Sequence, residues 1–262
     1  MKKVIYKVLP CVMVLFASCA DEFIDLTPPA SITDEVYYTE AEHFLTGSNR
    51  FYTNLIGWSD QGIYADHGSD LVGYTEDGGM QDYSRGDTQA PARAETYDGE
   101  GSITEYVAAT KFHRAWQYFF LVQRFGGVTL VTEPLDVDSE ELYGPRNSRY
   151  EVVAQIIADL DDAIAGLPTE QEISSSDKGK ISKWAAMAFK AEVLLHEATW
   201  MKYVGDSTDG DGISTGAGSA GFDTGKINTY LQEVATLTKT VLDQGGYELW
   251  NHNDDLDNLS SN

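Results

Sequence analysis

Between Gly57 and Gly101 the chain places Trp58, Tyr74, Tyr83 and Tyr97 among carboxylates, amides and arginines, with Asp70 and Arg85 the candidate hydrogen-bonding groups. The stretch has no sustained hydrophobic period, and at this length an aperiodic segment is either functional or disordered. Its aromatic content argues against plain disorder. Flat rings stack on the apolar faces of sugar rings, and fixed donors and acceptors meet the hydroxyls, so these six side chains have the chemistry of a glycan-binding surface. The same tyrosines would equally serve to pin a polar loop onto neighbouring helices. Residue type alone does not choose between the two.

Other patterns suggest chemistry and then fail on spacing. Asp159, Asp161 and Asp162 have the residue type of a glycosidase acid and nucleophile, but that chemistry needs two carboxyl groups flanking a bond across a cleft. Clustered aspartates on an amphipathic helix are instead expected to form a solvated face. His196-Glu197 begins like a zinc-protease helix, yet the second histidine one turn later is missing and position 200 is Trp200. Gly216, Gly218 and Gly221 match a dinucleotide fingerprint by letters, but no strand precedes them. Asp206, Asp209 and Asp211 before Gly212 hint at a Ca²⁺ loop that lacks the alternate-residue spacing and the terminal glutamate. The expectation is therefore a protein with no catalytic residue, metal or cofactor, that weak Ca²⁺ pattern aside.

The first residues carry an export signal. Lys2, Lys3 and Lys7 precede the apolar run from Val8 to Ala17, and Ala17-Ser18 stand directly before Cys19. The run is too short for a membrane span, which needs about 20 residues. Small residues before a cysteine resemble the bacterial lipoprotein cleavage box, which makes Cys19 the expected lipidation site, with Phe16 an unusual neighbour. Of the two cysteines, Cys11 would leave with the signal, so no disulfide framework is expected. The formal net charge is −24, and loss of the signal makes it three units more negative. Such a surface repels phosphate backbones, which excludes nucleic acid as a natural partner. Asp21 and Glu22 follow Cys19 immediately, as in the surface-export signal of Bacteroidota lipoproteins.

The elements that would position the aperiodic stretch are helices. Thr39–Glu42 reads as a capping box before Ala41, Phe44, Leu45, Ser48, Tyr52 and Leu55. Ser102–Glu105 reads as a second box, opening a helix in which Ala108, Phe112, Ala115, Phe119 and Val122 share one face, widened by Trp116 and Phe120. That period puts His113–Leu135 in the core, although Trp116 and Tyr118 could pass for sugar platforms. Gly126-Gly127 ends the helix, and Val128–Val131 favours an extended strand. Ser148–Glu151 is a third box, before Val153, Ile156, Leu160, Ile164 and Leu167. A further helix presents Trp184, Ala188, Ala191, Leu195 and Ala198, and after the low-complexity run from Gly205 to Gly225 a last one presents Tyr230, Val234, Leu237 and Val241. The fold class is mainly α.

CADEFIDLTPP, RAWQYFFLVQRFGGVTLVTEPL, RNSRYEVVAQIIADLDDAIAGLP and KISKWAAMAFKAEVLLHEATW occur in that order. Together they resemble the SusD/RagB family of Bacteroidota outer-membrane lipoproteins. Thr129 stands where the family usually has proline. The resemblance implies tetratricopeptide-like helical pairs with irregular loops and a short strand or hairpin. It also implies a surface-exposed outer-membrane lipoprotein, held at the membrane by its lipid anchor only, that binds glycans or peptides. Its partner would be a SusC-like TonB-dependent β-barrel transporter. The alternatives are a structural lid on the barrel without glycan affinity, or a truncated, non-functional fragment. The resemblance spans only the N-terminal half of the family's length. The expected organisation is a signal peptide over 1–18, an extended tether over 19–38, and a SusD-like N-terminal helical domain over 39–262 with the family's C-terminal half absent. Apolar faces that would pack on that half are then expected at the surface.

Overall fold

The computed structural model describes residues 37–55, 89–135, 139–140, 143–205 and 217–248. Two compact units separate, Met1–Tyr37 and Tyr38–Asn262. Of the first only Tyr37 is among the described residues, so the architecture here is that of the second. Its described elements are α1 (Ala41–Arg50), a 3-10 turn (Phe51–Asn54), α2 (Gln89–Ala94), α3 (Thr104–Phe125), α4 (Arg149–Gly166), α5 (Lys183–Tyr203) and α6 (Gly225–Gln244).

The α3 stripe is the centre of the core, as its period predicts: Ala108, Phe112, Ala115, Phe119 and Val122 are all buried. They meet Val152, Val153, Ile156, Leu160 and Ala163 of α4 and Ala186, Phe189 and Val193 of α5. Phe189 sits among three rings of α3, with centroids 5.5 Å from Phe112, 4.8 Å from Trp116 and 5.6 Å from Phe119. A second cluster joins α5 to α6 through Trp184, Met187, Ala191, Leu194 and Leu237, with Tyr230, Val234 and Val241 against it. The α6 face is the one its spacing predicts. The α5 face is rotated from the expected one, because Leu195 is 47% exposed and Ala188 faces solvent while Met187 and Leu194 are buried. Alternative stripes coexist on a helix that packs against neighbours on several sides, and small residues fit either.

Capping follows the sequence at one box and departs at two. Ser148 Oγ accepts from Glu151 N–H at 3.1 Å and Glu151 Oε2 accepts from Ser148 N–H at 2.8 Å, the reciprocal pair expected. In α1 the box slips by one residue: Glu40 is the cap, and its N–H donates to His43 Nδ1 at 3.2 Å. In α3 the cap is Ile103, which puts Glu105 at the second helical position, one short of where a box partner must stand. Ser102 Oγ turns to Thr104 instead, 3.3 Å from its hydroxyl.

The two glycines after α3 do different things. Gly126 ends the helix at φ +66°, which a Cβ disfavours, while its N–H still reaches Val122 O at 3.1 Å. Gly127 is needed for closeness, since a Cβ there would lie 2.2 Å from Asn147 O. The expected strand is realised as an extended segment without a ladder. Leu130 N–H donates to Asn147 Oδ1 at 2.9 Å and Val131 N–H to the Tyr118 hydroxyl at 2.7 Å, so side chains take the bonds a partner strand would have made. Among the described residues no strand is present.

Candidate functional site

Of the six residues with glycan-binding chemistry, Trp58, Asp70, Tyr74, Tyr83 and Arg85 lie outside the described residues, as do Cys19, Asp206, Asp209 and Asp211. Tyr97 is described. Its ring stands edge-on to Phe44 of α1 with centroids 5.2 Å apart, and its hydroxyl donates to Glu100 O at 2.7 Å. The turn that permits this needs Gly99, where a Cβ would fall 2.7 Å from the Tyr97 ring and 2.8 Å from Thr39 O. Tyr97 therefore closes the exit of the aperiodic stretch onto α1.

The entrance is held as firmly. Tyr52, in the 3-10 turn after α1, accepts from Ile181 N–H at 2.8 Å and so joins this turn to the start of α5. Burial raises the pKa of its phenol, which stays neutral and available for that bond. Beneath the turn lies His113 of α3, its ring 5.0 Å from Tyr52 and 5.7 Å from Phe51. Tyr52, before the stretch, and Tyr97, near its end, thus rest on one helical platform. A shallow groove beside it, bordered by Ser48, Asn49, Tyr52, Glu105 and Lys180, has a volume of about 10 Å³, room for a water and not for a sugar ring.

His113 is 2% exposed and has no partner for Nε2. Removal from water disfavours its charged form and pushes its pKa down to about 4. The folded state therefore binds this proton less readily than the unfolded state. The resulting stability is complete above about pH 6.5 and is lost as pH falls from there towards 4. Between pH 6.5 and 5 the loss is expected to be about 2 kcal/mol. Urea titrations of wild type and His113→Leu across that range check it: the variant should show a shallower decline, and parallel curves would remove His113 as the cause.

Two buried ion pairs hold the platform together, and neither is evident from the sequence. Arg114 of α3 grips Asp159 of α4 with two bonds, Nη2–Oδ1 at 2.5 Å and Nε–Oδ2 at 2.8 Å, and its Nη1 donates to Thr132 O at 3.2 Å. Asp159 is 1% exposed, so only Asp161 and Asp162 are on the solvated face expected for all three. Arg149, at the start of α4, donates Nε to Glu197 Oε2 of α5 at 3.0 Å and Nη1 to Val122 O at the end of α3 at 3.0 Å. Its guanidinium also lies 4.1 Å over the Trp200 ring. His196 Nδ1 is 3.3 Å from Arg149 Nη2. Burial and that guanidinium lower the His196 pKa, so the neutral ring accepts the bond. Burial pushes the Glu197 carboxyl up against the opposing pull of Arg149, in keeping with the lack of any partner on Oε1. His196 and Glu197 are thus structural. Among the described residues no group of three or more His, Cys, Asp or Glu side chains could hold a metal ion.

The helices that carry these pairs also carry the likeness to known proteins. Residues 94–195 match the SusD-like family described as starch-binding and associating with the outer membrane. SusD-like protein P25 of Formosa agariphila is 24% identical over 235 residues, covering 75% of this chain and 44% of the relative. A SusD-like protein of Bacteroides ovatus is 24% identical over 222 residues, covering 74% and 39%. The chain is similar to the SusD-like family over these residues. Solved structures agree on the fold: a SusD homologue from Bacteroides thetaiotaomicron superposes with TM-score 0.57 at 18% identity over 83% of this chain and 43% of that one. A SusD-like protein from Bacteroides fragilis superposes with TM-score 0.52 at 21% identity over 86% and 42%. The chain spans less than half the length of these relatives. Among its described residues no helix is long and apolar enough to cross a membrane.

Proposed function

We propose that this SusD-like chain is a lipid-anchored protein of the outer-membrane surface that binds glycans and passes them to a TonB-dependent, SusC-like β-barrel, with no chemistry of its own. The observation that carries the proposal is the match of residues 94–195 to a family described as starch-binding and outer-membrane-associated. The fastening of Tyr97 to α1, and of Tyr52 just before the stretch to α3 and to Ile181 ahead of α5, supports its use as the ligand-bearing surface. Trp58, Tyr74, Tyr83 and Tyr97 are the proposed stacking residues, and Asp70 and Arg85 the proposed hydrogen-bonding ones. Tyr97 offers less to a ligand than the others because its hydroxyl and one ring edge are already engaged.

Native affinity electrophoresis of the full chain through starch and a panel of other polysaccharides tests this. Retardation by at least one polysaccharide is expected, weakened about tenfold or more when Trp58, Tyr74 and Tyr83 are changed together to alanine. If no polysaccharide retards the chain while it co-purifies with a β-barrel, the lid reading replaces the glycan reading. Cys19→Ala is expected to release the protein from the outer-membrane fraction, since the acyl chains on that residue are the proposed anchor.

A further inference from the structure

The 3-10 turn after α1 sits on a histidine that has nowhere to put a second proton. His113 is 2% exposed with Nε2 unpaired, and Phe51 and Tyr52 of the turn lie directly over its ring. Little holds this cover down. The hydrogen bond from Ile181 N–H to the Tyr52 hydroxyl ties it to the chain ahead of α5, and the turn contributes no buried residue to the α3–α4–α5 cluster. The water-sized groove bordered by Ser48, Tyr52 and Ala109 also comes within one helical turn of His113. Charged and titratable groups surround the site without supplying a counter-ion. They are Arg50 at the end of α1, Tyr52 in the turn, Arg93 on α2, Glu105 on α3 and Lys180 before α5. On α4, Asp159 is closed on Arg114 and Asp162 on Lys111. None of them moves the titration of His113, which burial alone pushes down to about 4.

We propose that the turn is an acid-released seat: a proton on His113 Nε2 lifts Phe51 and Tyr52 off α3, breaks the Tyr52–Ile181 bond and lets water reach the imidazolium. The α3–α4–α5 cluster stays closed, because the turn is not part of it. The direction follows from linkage. With the turn open, His113 meets water and binds its proton near pKa 6.5; with the turn closed, it does so only near 4. The open fraction should therefore rise about twentyfold between pH 7 and pH 5. The opening itself does not depend on the glycan reading, but its use rests on it. The turn leads into the aperiodic stretch, so a glycan held there opposes the opening, and acid in return loosens the glycan.

Amide exchange at Ile181 tests this, with the intrinsic rate at each pH divided out. Protection should fall about twentyfold from pH 7 to pH 5 in the wild-type chain and change less than about twofold in His113→Leu and His113→Gln, neither of which can take up the proton. The opening should also be local. Ile181 is expected to be less protected than Ile156 of α4 and Val193 of α5, and urea well below the unfolding midpoint should quicken exchange at those two and barely change it at Ile181. Tyr52→Phe, which removes the acceptor, should leave Ile181 poorly protected at both pH values. A polysaccharide that retards the chain, added at about ten times its dissociation constant, should raise Ile181 protection about tenfold at pH 5. Wild-type protection that ignores pH overturns the proposal, as does an equal fall in both His113 variants or exchange at Ile181 only in step with Ile156 and Val193. A bound polysaccharide that leaves Ile181 unchanged overturns the link between seat and ligand. If no polysaccharide retards the chain, it is the glycan reading that fails, and the pH series still decides for or against the seat.

Discussion

Arg149→Met is expected to lower the unfolding free energy by about 3–5 kcal/mol, measured by urea denaturation at pH 7. The guanidinium is 1% exposed and serves three helices at once: it starts α4, neutralises Glu197 of α5 and caps the end of α3 through Val122 O. Removing it leaves a buried carboxylate with no counter-charge and takes from Val122 O one of its two donors, the other being Gly126 N–H, beside a Trp200 ring that has lost its stacking cation. The Arg149→Met/Glu197→Met double variant separates these effects. Exchanging both partners for apolar groups removes the stranded charge, so most of the loss should be recovered even though the Val122 O bond stays broken. A single variant that loses less than about 1 kcal/mol would mean that water reaches Glu197 and that the pair does not hold the three helices together.

The contrast between this pair and the rest of the core shows what a sequence conveys. Ala108, Phe112, Ala115, Phe119 and Val122 were legible because hydrophobic spacing is a local property, recorded within one helix. The Ser148 box was legible for the same reason, since donor and acceptor are three residues apart. Arg149 and Glu197 are 48 residues apart, and neither type announces burial. Asp159 shows the difficulty most clearly. It falls between Ile156 and Leu160 on the buried side of α4, yet an aspartate there reads as the edge of a solvated face until Arg114, 45 residues earlier, is seen to meet it. One clue was available, because a charged residue in phase with a core stripe on each of two long helices implies a partner, though not which one.

Short-range errors had short-range causes. The boxes at Thr39 and Ser102 slipped because several residues there could cap, and the choice depends on which backbone N–H is left unpaired. Helix α2 was missed because six residues with a proline in the first turn carry no measurable period. The candidate site was legible in residue type more than in geometry. Tyr97 belongs to the aromatic set of the stretch, but its contact with Phe44 runs back across more than fifty residues, and the seating of the stretch on Tyr52 and His113 depends on helices packed from elsewhere in the chain.

Asp159→Ala is expected to have an effect of the same size as Arg149→Met, about 3–5 kcal/mol, with a different local signature. Arg114, 4% exposed, would lose both bonds to Asp159 and keep the one to Thr132 O. That carbonyl lies in the extended segment after Gly127, the piece of chain that has no ladder of its own. Without that carboxylate the guanidinium must either draw water into the α3–α4 contact or swing away and release the segment. Amide exchange resolves the two outcomes: Leu130 and Val131, whose N–H groups are protected by Asn147 and Tyr118, should exchange about tenfold faster or more in Asp159→Ala if the segment is released. Asp159→Asn should lie between wild type and alanine, because the amide oxygen still accepts one arginine bond while the charge is lost. If alanine and asparagine were equally destabilised, charge rather than hydrogen-bond geometry would be the property that α4 supplies to Arg114. If neither changed exchange at Val131, the Thr132 bond would be incidental and the segment would be held by Tyr118 and Asn147 alone.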